Sequence, residues 1–212
     1  MKNDIRLVCF DLNKTLISEN TWYDLNLAMG ISEEEDKAML DSYIRGEKSY
    51  LFWQKEIEKM YIERGKAKRE DILKVIYTYR YLEGAKAIAQ YLKEQGYILA
   101  LISGSIDLLV KRVAGELGIE HYYANNQFIF DKNNYLSEIV CLGDDWVVKK
   151  DQLIALSKKT GVALNQIACV GDGDNDMGIF ALTGRGITFK DSKIRDKAWK
   201  VIDKLSDLKS VL

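Results

Sequence analysis

Asp11-Leu12-Asn13-Lys14-Thr15 directly follows Arg6–Phe10, an apolar run of the kind that forms a buried parallel strand. A carboxylate at the carboxyl end of such a strand lies where open α/β sheets place their ligands. Alone, Asp11 would read as a turn residue or helix N-cap. A second strand-like run, Ile98–Ile102, ends in Ser103-Gly104-Ser105. A hydroxyl and glycine-freed N–H groups at a helix start form an anion site; the plain alternative is a serine N-cap. The third run, Ile167–Val170, ends in Gly171-Asp172-Gly173-Asp174-Asn175-Asp176. Carboxylates so crowded repel one another unless a cation sits among them. A hard divalent ion such as Mg²⁺, shared between one or two carboxylates, phosphate and water, suits them better than a bare acidic turn. The segment lacks the register and closing Glu of an EF-hand loop. Lys149 falls before a helix that leads into the third strand, where its ammonium would reach bound phosphate; otherwise it is an ordinary exposed lysine. Together these segments place Asp11, Ser103 and Asp172 at the ends of three strands of one sheet, in the order that phosphoryl transfer uses.

The elements between them set that arrangement. Gly186–Phe189 is a fourth, shorter strand candidate. Gly84–Gln95 puts Ala85, Ile88, Ala89 and Leu92 on one helical face, with Gly96 as a stop; Ile106–Leu117 ends at Gly118, and Asp151–Lys159 near Gly161. Alternating strands and helices predict an α/β fold with a doubly wound parallel sheet. Residues 19–81 break the alternation. They lack a good strand but carry several amphipathic helical patterns and Trp22, Tyr23, Tyr43, Tyr50, Phe52, Trp53 and Tyr61, which predicts a helical insertion. Asn126–Val140 alternates around Asp131-Lys132-Asn133-Asn134 and predicts a β-hairpin. The charged run Glu63–Asp71 reads as a solvated face, because Glu63, Glu70 and Asp71 interrupt its basic residues.

Composition narrows the function classes. The 212 residues suit one domain with an insertion, or two small domains; 47% are hydrophobic and 30% charged, as in ordinary globular chains. A net charge of -1 supplies no field to recruit nucleic acid or an anionic membrane, so neither is expected as a partner. No apolar stretch reaches the roughly 18 residues that span a bilayer, and Met1-Lys2-Asn3-Asp4 enters the first strand without room for a signal peptide. Of three cysteines, Cys9 and Cys169 fall in predicted buried strands and read as core residues; Cys141 completes an odd set without metal-ligand spacing. His121 is the sole histidine, which argues against a catalytic thiol. A reducing cytoplasm is the expected compartment. The chain has no proline, so its turns rely on Gly, Asn and Asp.

These motifs, in this order, resemble the haloacid dehalogenase superfamily, most closely its phosphoserine-phosphatase-like branch. Motif one resembles Asp11–Thr15, motif two Ser103-Gly104-Ser105, motif three Lys149, and motif four Gly171–Asp176. The likeness covers essentially the whole chain. It implies a Rossmann-like catalytic core of residues 1–18 and 82–212, a helical cap at 19–81, a β-hairpin flap and a Mg²⁺ cofactor. It further implies that Asp11 is the nucleophile that forms an aspartyl-phosphate. Asp11, the backbone C=O of Asn13 and Asp172 would hold the metal. Ser103, Gly104, Lys149 and Asn175 would bind the phosphoryl group; Thr15 and Asp176 would support the network.

One residue departs from the pattern. The family's second motif-one acid protonates the leaving oxygen and then activates water; here it is Asn13, which cannot shuttle a proton. General acid–base help is worth about 10²–10⁴ in rate. Three readings follow: a position substituted to slow turnover; a natural phosphatase that is slow, uses a good leaving group or takes its proton elsewhere; or a non-catalytic phospholigand-binding or regulatory protein. Either phosphatase reading is preferred, because the remaining catalytic positions are intact; transfer of the phosphoryl group to an acceptor other than water is a further class. The substrate implied is a small-molecule phosphomonoester, with oligomeric state left open. Family members specific for phosphoserine hold its amino group with a Glu and its carboxylate with an Arg. The matching positions here are Asn20, with Glu19 adjacent, and Lys55, which would not pair in Arg's bidentate way. Trp22, Tyr23 and Trp53 would line the cap or form its core.

Overall fold

The computed structural model of the chain describes residues 4–64 and 67–212. Met1-Lys2-Asn3, ahead of the first predicted strand, and Gly65-Lys66, inside the charged run, lie outside the described residues. Seven strands form one sheet among them: β1 (Leu7–Phe10), β2 (Ile98–Ile106), β3 (His121–Phe130), β4 (Leu136–Cys141), β5 (Ile167–Val170), β6 (Gly186–Phe189) and β7 (Lys200–Ile202). Their order is β4-β3-β2-β1-β5-β6-β7, with β3–β4 antiparallel and the other neighbours parallel. The chain runs outward from β1 through β2 and β3, then returns to β5 on the other side. That reversal opens a crevice beyond the carboxyl ends of β1 and β5.

β1 is fully buried because both of its faces are covered. Val8 and Phe10 face a core shared with Ile88 and Leu92 of α5 (Ala85–Glu94) and Val110 of α6 (Asp107–Leu117). Leu7 and Cys9 face the opposite core, with Leu153 and Leu156 of α7 (Asp145–Thr160) and Ile179 and Phe180 of α8 (Met177–Thr183). The two-residue period of a strand thus feeds two hydrophobic layers. Cys9 lies opposite Cys169 across the β1–β5 pair, and both are buried, free and in the core, as expected. A last short helix, α9 (Leu208–Val211), closes the chain.

Between β1 and α5 lie the insertion helices α1 (Thr21–Ala28), α2 (Glu33–Ile44), α3 (Tyr50–Glu63) and α4 (Arg69–Ile76). Ser32 caps α2 through a reciprocal box with Glu35, and Ser49 caps α3. The insertion leaves and returns through a paired stem: Ser18 N–H donates to the Arg80 carbonyl and Leu82 N–H to the Leu16 carbonyl, each at 2.9 Å. Its helices are tied by a buried polar chain. Tyr61 Oη on α3 donates to Asn26 Oδ1 on α1, and Asn26 Nδ2 donates to Asp36 Oδ1 on α2 at 2.6 Å. The insertion also reaches the hairpin, where Ile139 N–H donates to Glu58 Oε2.

Three sequence expectations shift. α7 begins at Asp145 rather than Asp151, so Lys149 sits inside the helix and not before it. β2 continues through Ser103-Gly104-Ser105 with a register shift against β3, and α6 starts after Ile106, so these serines are not helix N-caps. The hairpin forms, yet its first arm starts at His121 and doubles as a parallel strand of the main sheet. The glycine stops hold at Gly118 and Gly161, both in the left-handed region. Among the described residues no helix is long and apolar enough to cross a membrane.

The Tyr61–Asn26–Asp36 chain yields a stability test. Tyr61→Phe leaves Asn26 Oδ1 buried without its donor and should cost about 1–3 kcal/mol, read as a lower urea midpoint at unchanged m.

Candidate active site

Each parallel strand end delivers its residue to one cleft. The β1 loop turns at once: the Leu12 carbonyl accepts from Thr15, Leu16 and Ile17 N–H, and Lys14 takes a left-handed φ of 58°. Asp11 is thereby left at the mouth of β1, 6% exposed. From below the sheet, α7 sends Lys149 upward. Its Nζ is fully buried and donates to Asp11 Oδ1 at 2.7 Å and Asp176 Oδ1 at 2.8 Å. Asp176 Oδ2 accepts from Asp172 and Gly173 N–H, both at 3.1 Å, which folds the acidic loop around it. Gly171 is required here, since a Cβ would lie 2.3 Å from the Asp176 carboxyl. Thr15 Oγ1 donates to Asp172 Oδ1 at 3.2 Å and ties the β1 loop to the β5 loop. Asp174 turns away and pairs with Lys193.

Three carboxylates, Asp11, Asp172 and Asp176, present oxygens within 4.8 Å of one another. One ammonium serves them. Burial pushes the Asp11 carboxyl up to about 7; Lys149 opposes this, while Asp176 and Asp172 add to it. Burial and then the Asp176 charge push Asp172 up to about 6, against the Thr15 hydrogen bond and Lys149. Burial disfavours the Lys149 cation, but Asp11, Asp176 and Asp145 outweigh it and hold its pKa well above the usual lysine value. Among the described residues Asp11 Oδ2 and Asp172 Oδ2 accept no hydrogen bond, whereas both Asp176 oxygens are engaged. Two uncommitted hard oxygens in a surplus of negative charge fit a divalent cation.

A cavity of about 260 Å³ opens over this cluster. Asp11, Asn13, Ser103, Gly104, Asp172 and Asn175 line its base, and Asn20 and Trp22 also line it. Lys149, Thr15 and Asp176 lie behind that lining and hold it through the bonds above. Asn13 Oδ1 accepts from Thr21 Oγ1 at 2.6 Å, so the first residue of α1 orients it. The Gly104 carbonyl accepts from Trp22 Nε1 at 3.1 Å and Asn126 Nδ2 at 2.9 Å, which fixes the end of β2 against both α1 and β3.

Two expected substrate residues are elsewhere. Glu19 accepts from Ser18 Oγ and from Arg80 N and Nε in the insertion stem. Burial would raise its pKa, but these hydrogen bonds lower it on balance. Lys55 is exposed and donates to Glu58 at 3.0 Å, outside the cavity. Tyr23 is not part of the lining, whereas Trp53 is. Sequence reasoning missed Thr21, Tyr50 and Asp145 as site residues. Asp145 was findable by spacing: it precedes Lys149 by one helical turn, once α7 is known to start there. Its carboxylate accepts from Asn125 Nδ2 at 3.2 Å and Asn175 Nδ2 at 2.5 Å. It also fills the space a side chain at Gly104 would need, as a Cβ there would lie 2.2 Å from Asp145 Oδ2.

Comparison with known proteins agrees with this geometry. Residues 8–181 match the family model for the haloacid dehalogenase-like hydrolases. A phosphoserine phosphatase of Methanocaldococcus jannaschii is 28% identical over 214 aligned residues, covering 100% of this chain and 98% of that protein. A phosphoserine phosphatase of Archaeoglobus fulgidus is 29% identical over 89% of this chain, which spans about half (54%) of the longer relative. Among solved structures, one described as a phospho-aspartyl intermediate analogue of phosphoserine phosphatase superposes with a TM-score of 0.77 at 26% identity, over 97% of this chain and 98% of that one. The chain therefore belongs to the haloacid dehalogenase-like hydrolases, in their phosphoserine-phosphatase-like branch of phosphoric monoester hydrolases.

Proposed function

We propose that the chain hydrolyses a small-molecule phosphomonoester, with Mg²⁺ as cofactor, through an aspartyl-phosphate on Asp11. The observation that carries this reading is the buried Lys149 bridge between Asp11 and Asp176 at the base of the cavity. It keeps a carboxylate oriented and partly neutralised where a phosphorus atom would approach. Asp11 attacks phosphorus, the ester P–O bond breaks and the alcohol leaves; water then cleaves the acyl phosphate and frees Asp11. Ser103, the backbone at Gly104, Lys149 and Asn175 supply donors to the phosphoryl oxygens. Mg²⁺ held by Asp11, Asp172 and the Asn13 carbonyl would neutralise charge on the phosphoryl group. Residues 19–81 act as a cap over a core of 1–18 and 82–212, swinging on the stem at Ser18 and Arg80 and excluding water when closed. A cytoplasmic setting suits the free cysteines.

Asn13 is the weak element of this catalyst. Its amide can donate a hydrogen bond to the leaving oxygen but cannot give it a proton, so the alcohol must take one from water. Its position is nonetheless prepared: Thr21 would hold a carboxylate in the same place. Asn13→Asp should raise phosphate release from p-nitrophenyl phosphate and small phosphomonoesters about 10²–10⁴-fold with Mg²⁺ present, and Asp11→Asn should abolish it. Absence of turnover by Asn13→Asp on every ester would instead make the protein a phospholigand binder.

The acidic cluster gives a second test. The Asp11 and Asp172 carboxyls titrate higher folded than unfolded, at about 7 and about 6. Their contribution to stability is therefore full below the unfolded pKa near 4 and is lost as pH rises through 6 and 7. A divalent cation compensates the charge that then appears. Mg²⁺ should raise the melting temperature more at pH 8 than at pH 5, and Asp172→Asn should remove most of that difference.

A further inference from the structure

We propose that the cavity selects a phosphomonoester whose alcohol carries a positive charge and no carboxylate, an amino-alcohol phosphate, with Asp145 pairing the cation. This rests on the phosphatase reading above. Asp145 is 8% exposed and lines the same cavity as Asp11. Among the described residues its carboxylate has no ion-pair partner; its bonds come from the neutral amides of Asn125 and Asn175. Lys149, one turn on, is already divided between Asp11 and Asp176. A metal on the acidic cluster would leave Asp145 uncovered too, because that cluster comprises Asp11, Asp172 and Asp176. The start of α7 and two amide dipoles soften the burial of this charge, but a buried carboxylate still favours a cation.

The walls beside it suit an alkylammonium. Trp22, Tyr50 and Trp53 line the cavity. The Tyr50 and Trp53 ring centroids lie 5.4 Å apart, and Tyr43 stacks on Trp53 at 6.0 Å while its hydroxyl reaches Asp144 at 3.4 Å. Aromatic surface next to a carboxylate is the chemistry that accepts ammonium and quaternary ammonium groups. Ser105 Oγ, fully buried and lining the cavity, has no partner among the described residues and supplies a further hydrogen-bonding group for the ligand. Among the described residues one lysine, Lys14, lines the same space, against the carboxylates of Asp11, Asp145 and Asp172. Lys55 lies outside on Glu58, Lys14 donates to the Ser18 carbonyl, and Lys193 is paired with Asp174. An amino-acid phosphate would bring its carboxylate into a lining where three carboxylates outnumber that one lysine.

The test measures kcat/KM with Mg²⁺ for this chain and Asn13→Asp on p-nitrophenyl phosphate, phosphoethanolamine, phosphocholine, glycerol phosphate and phosphoserine. The proposal expects at least one of the two cationic esters to exceed glycerol phosphate and phosphoserine by tenfold or more. It also expects Asp145→Asn, placed on Asn13→Asp, to collapse the cationic-to-neutral ratio, a readout that a general loss of activity does not move. Turnover of p-nitrophenyl phosphate without a cationic preference overturns this inference and leaves the phosphatase reading standing. Failure to hydrolyse any ester overturns both. Should Asp145→Asn not fold, the ester panel on Asn13→Asp decides alone: a preference for phosphoserine or glycerol phosphate sinks the proposal.

Discussion

A single buried ammonium organises the centre of this molecule. Lys149 Nζ lies under the sheet's carboxyl edge, bonded to Asp11 from β1 and Asp176 from the loop after β5. Without it, two carboxylates from different strands would face each other in a desolvated space, and the surviving charges would be strongly destabilising. With it, the two strand-end loops are clamped together from below. The Thr15–Asp172 hydrogen bond closes the same pair of loops from another side. The clamp consumes both oxygens of Asp176 and one each of Asp11 and Asp172, so it sets which oxygens stay open for ligand chemistry.

The clamp depends on backbone that can be approached closely. Asp176 lies against Gly171, and Asp145 against Gly104, each where a Cβ would stand. Those glycines are therefore steric necessities at conventional backbone angles, since neither has a left-handed φ. They let carboxylates touch the ends of β5 and β2 directly. The result is a dense charge array, four carboxylates around one lysine, whose surplus suits a divalent cation at one end and is met by amides at the other.

Much of this arrangement was legible because the strands announce themselves. Leu7–Phe10 and Ile167–Val170 are short, wholly apolar runs that stop at Asp or Gly, and a two-sided core demands that pattern. The order of polar strand ends then fixed which residues would meet. The start of α7 was not legible. Asp144-Asp145-Trp146-Val147-Val148 has adjacent acids, an aromatic and β-branched residues, a poor helical signature whose stability comes from packing. That concealed Lys149's true place and Asp145 with it. Glu19 and Lys55 were misplaced for a related reason. Counting along a helical insertion finds a position but not its facing, and both side chains found nearer partners in Arg80 and Glu58. The first arm of the hairpin hid its sheet role because His121-Tyr122-Tyr123-Ala124-Asn125 pairs along β2 without the apolar run expected of a parallel strand.

Asn13 belongs to two systems at once. Its backbone is part of the tight loop that presents Asp11, while its side chain is held by Thr21, the first residue of the insertion. Trp22, the next residue, bonds the Gly104 carbonyl of motif two. The beginning of α1 thus touches both the Asp11 loop and the Ser103–Ser105 segment, so the position of the insertion is tied to both. Asp and Asn are nearly isosteric, and either offers Thr21 an acceptor oxygen. The exchange therefore leaves this coupling intact and changes only whether a proton can pass. Architecture and proton-carrying capacity are separable at position 13, because Thr21 meets there an oxygen that either side chain supplies.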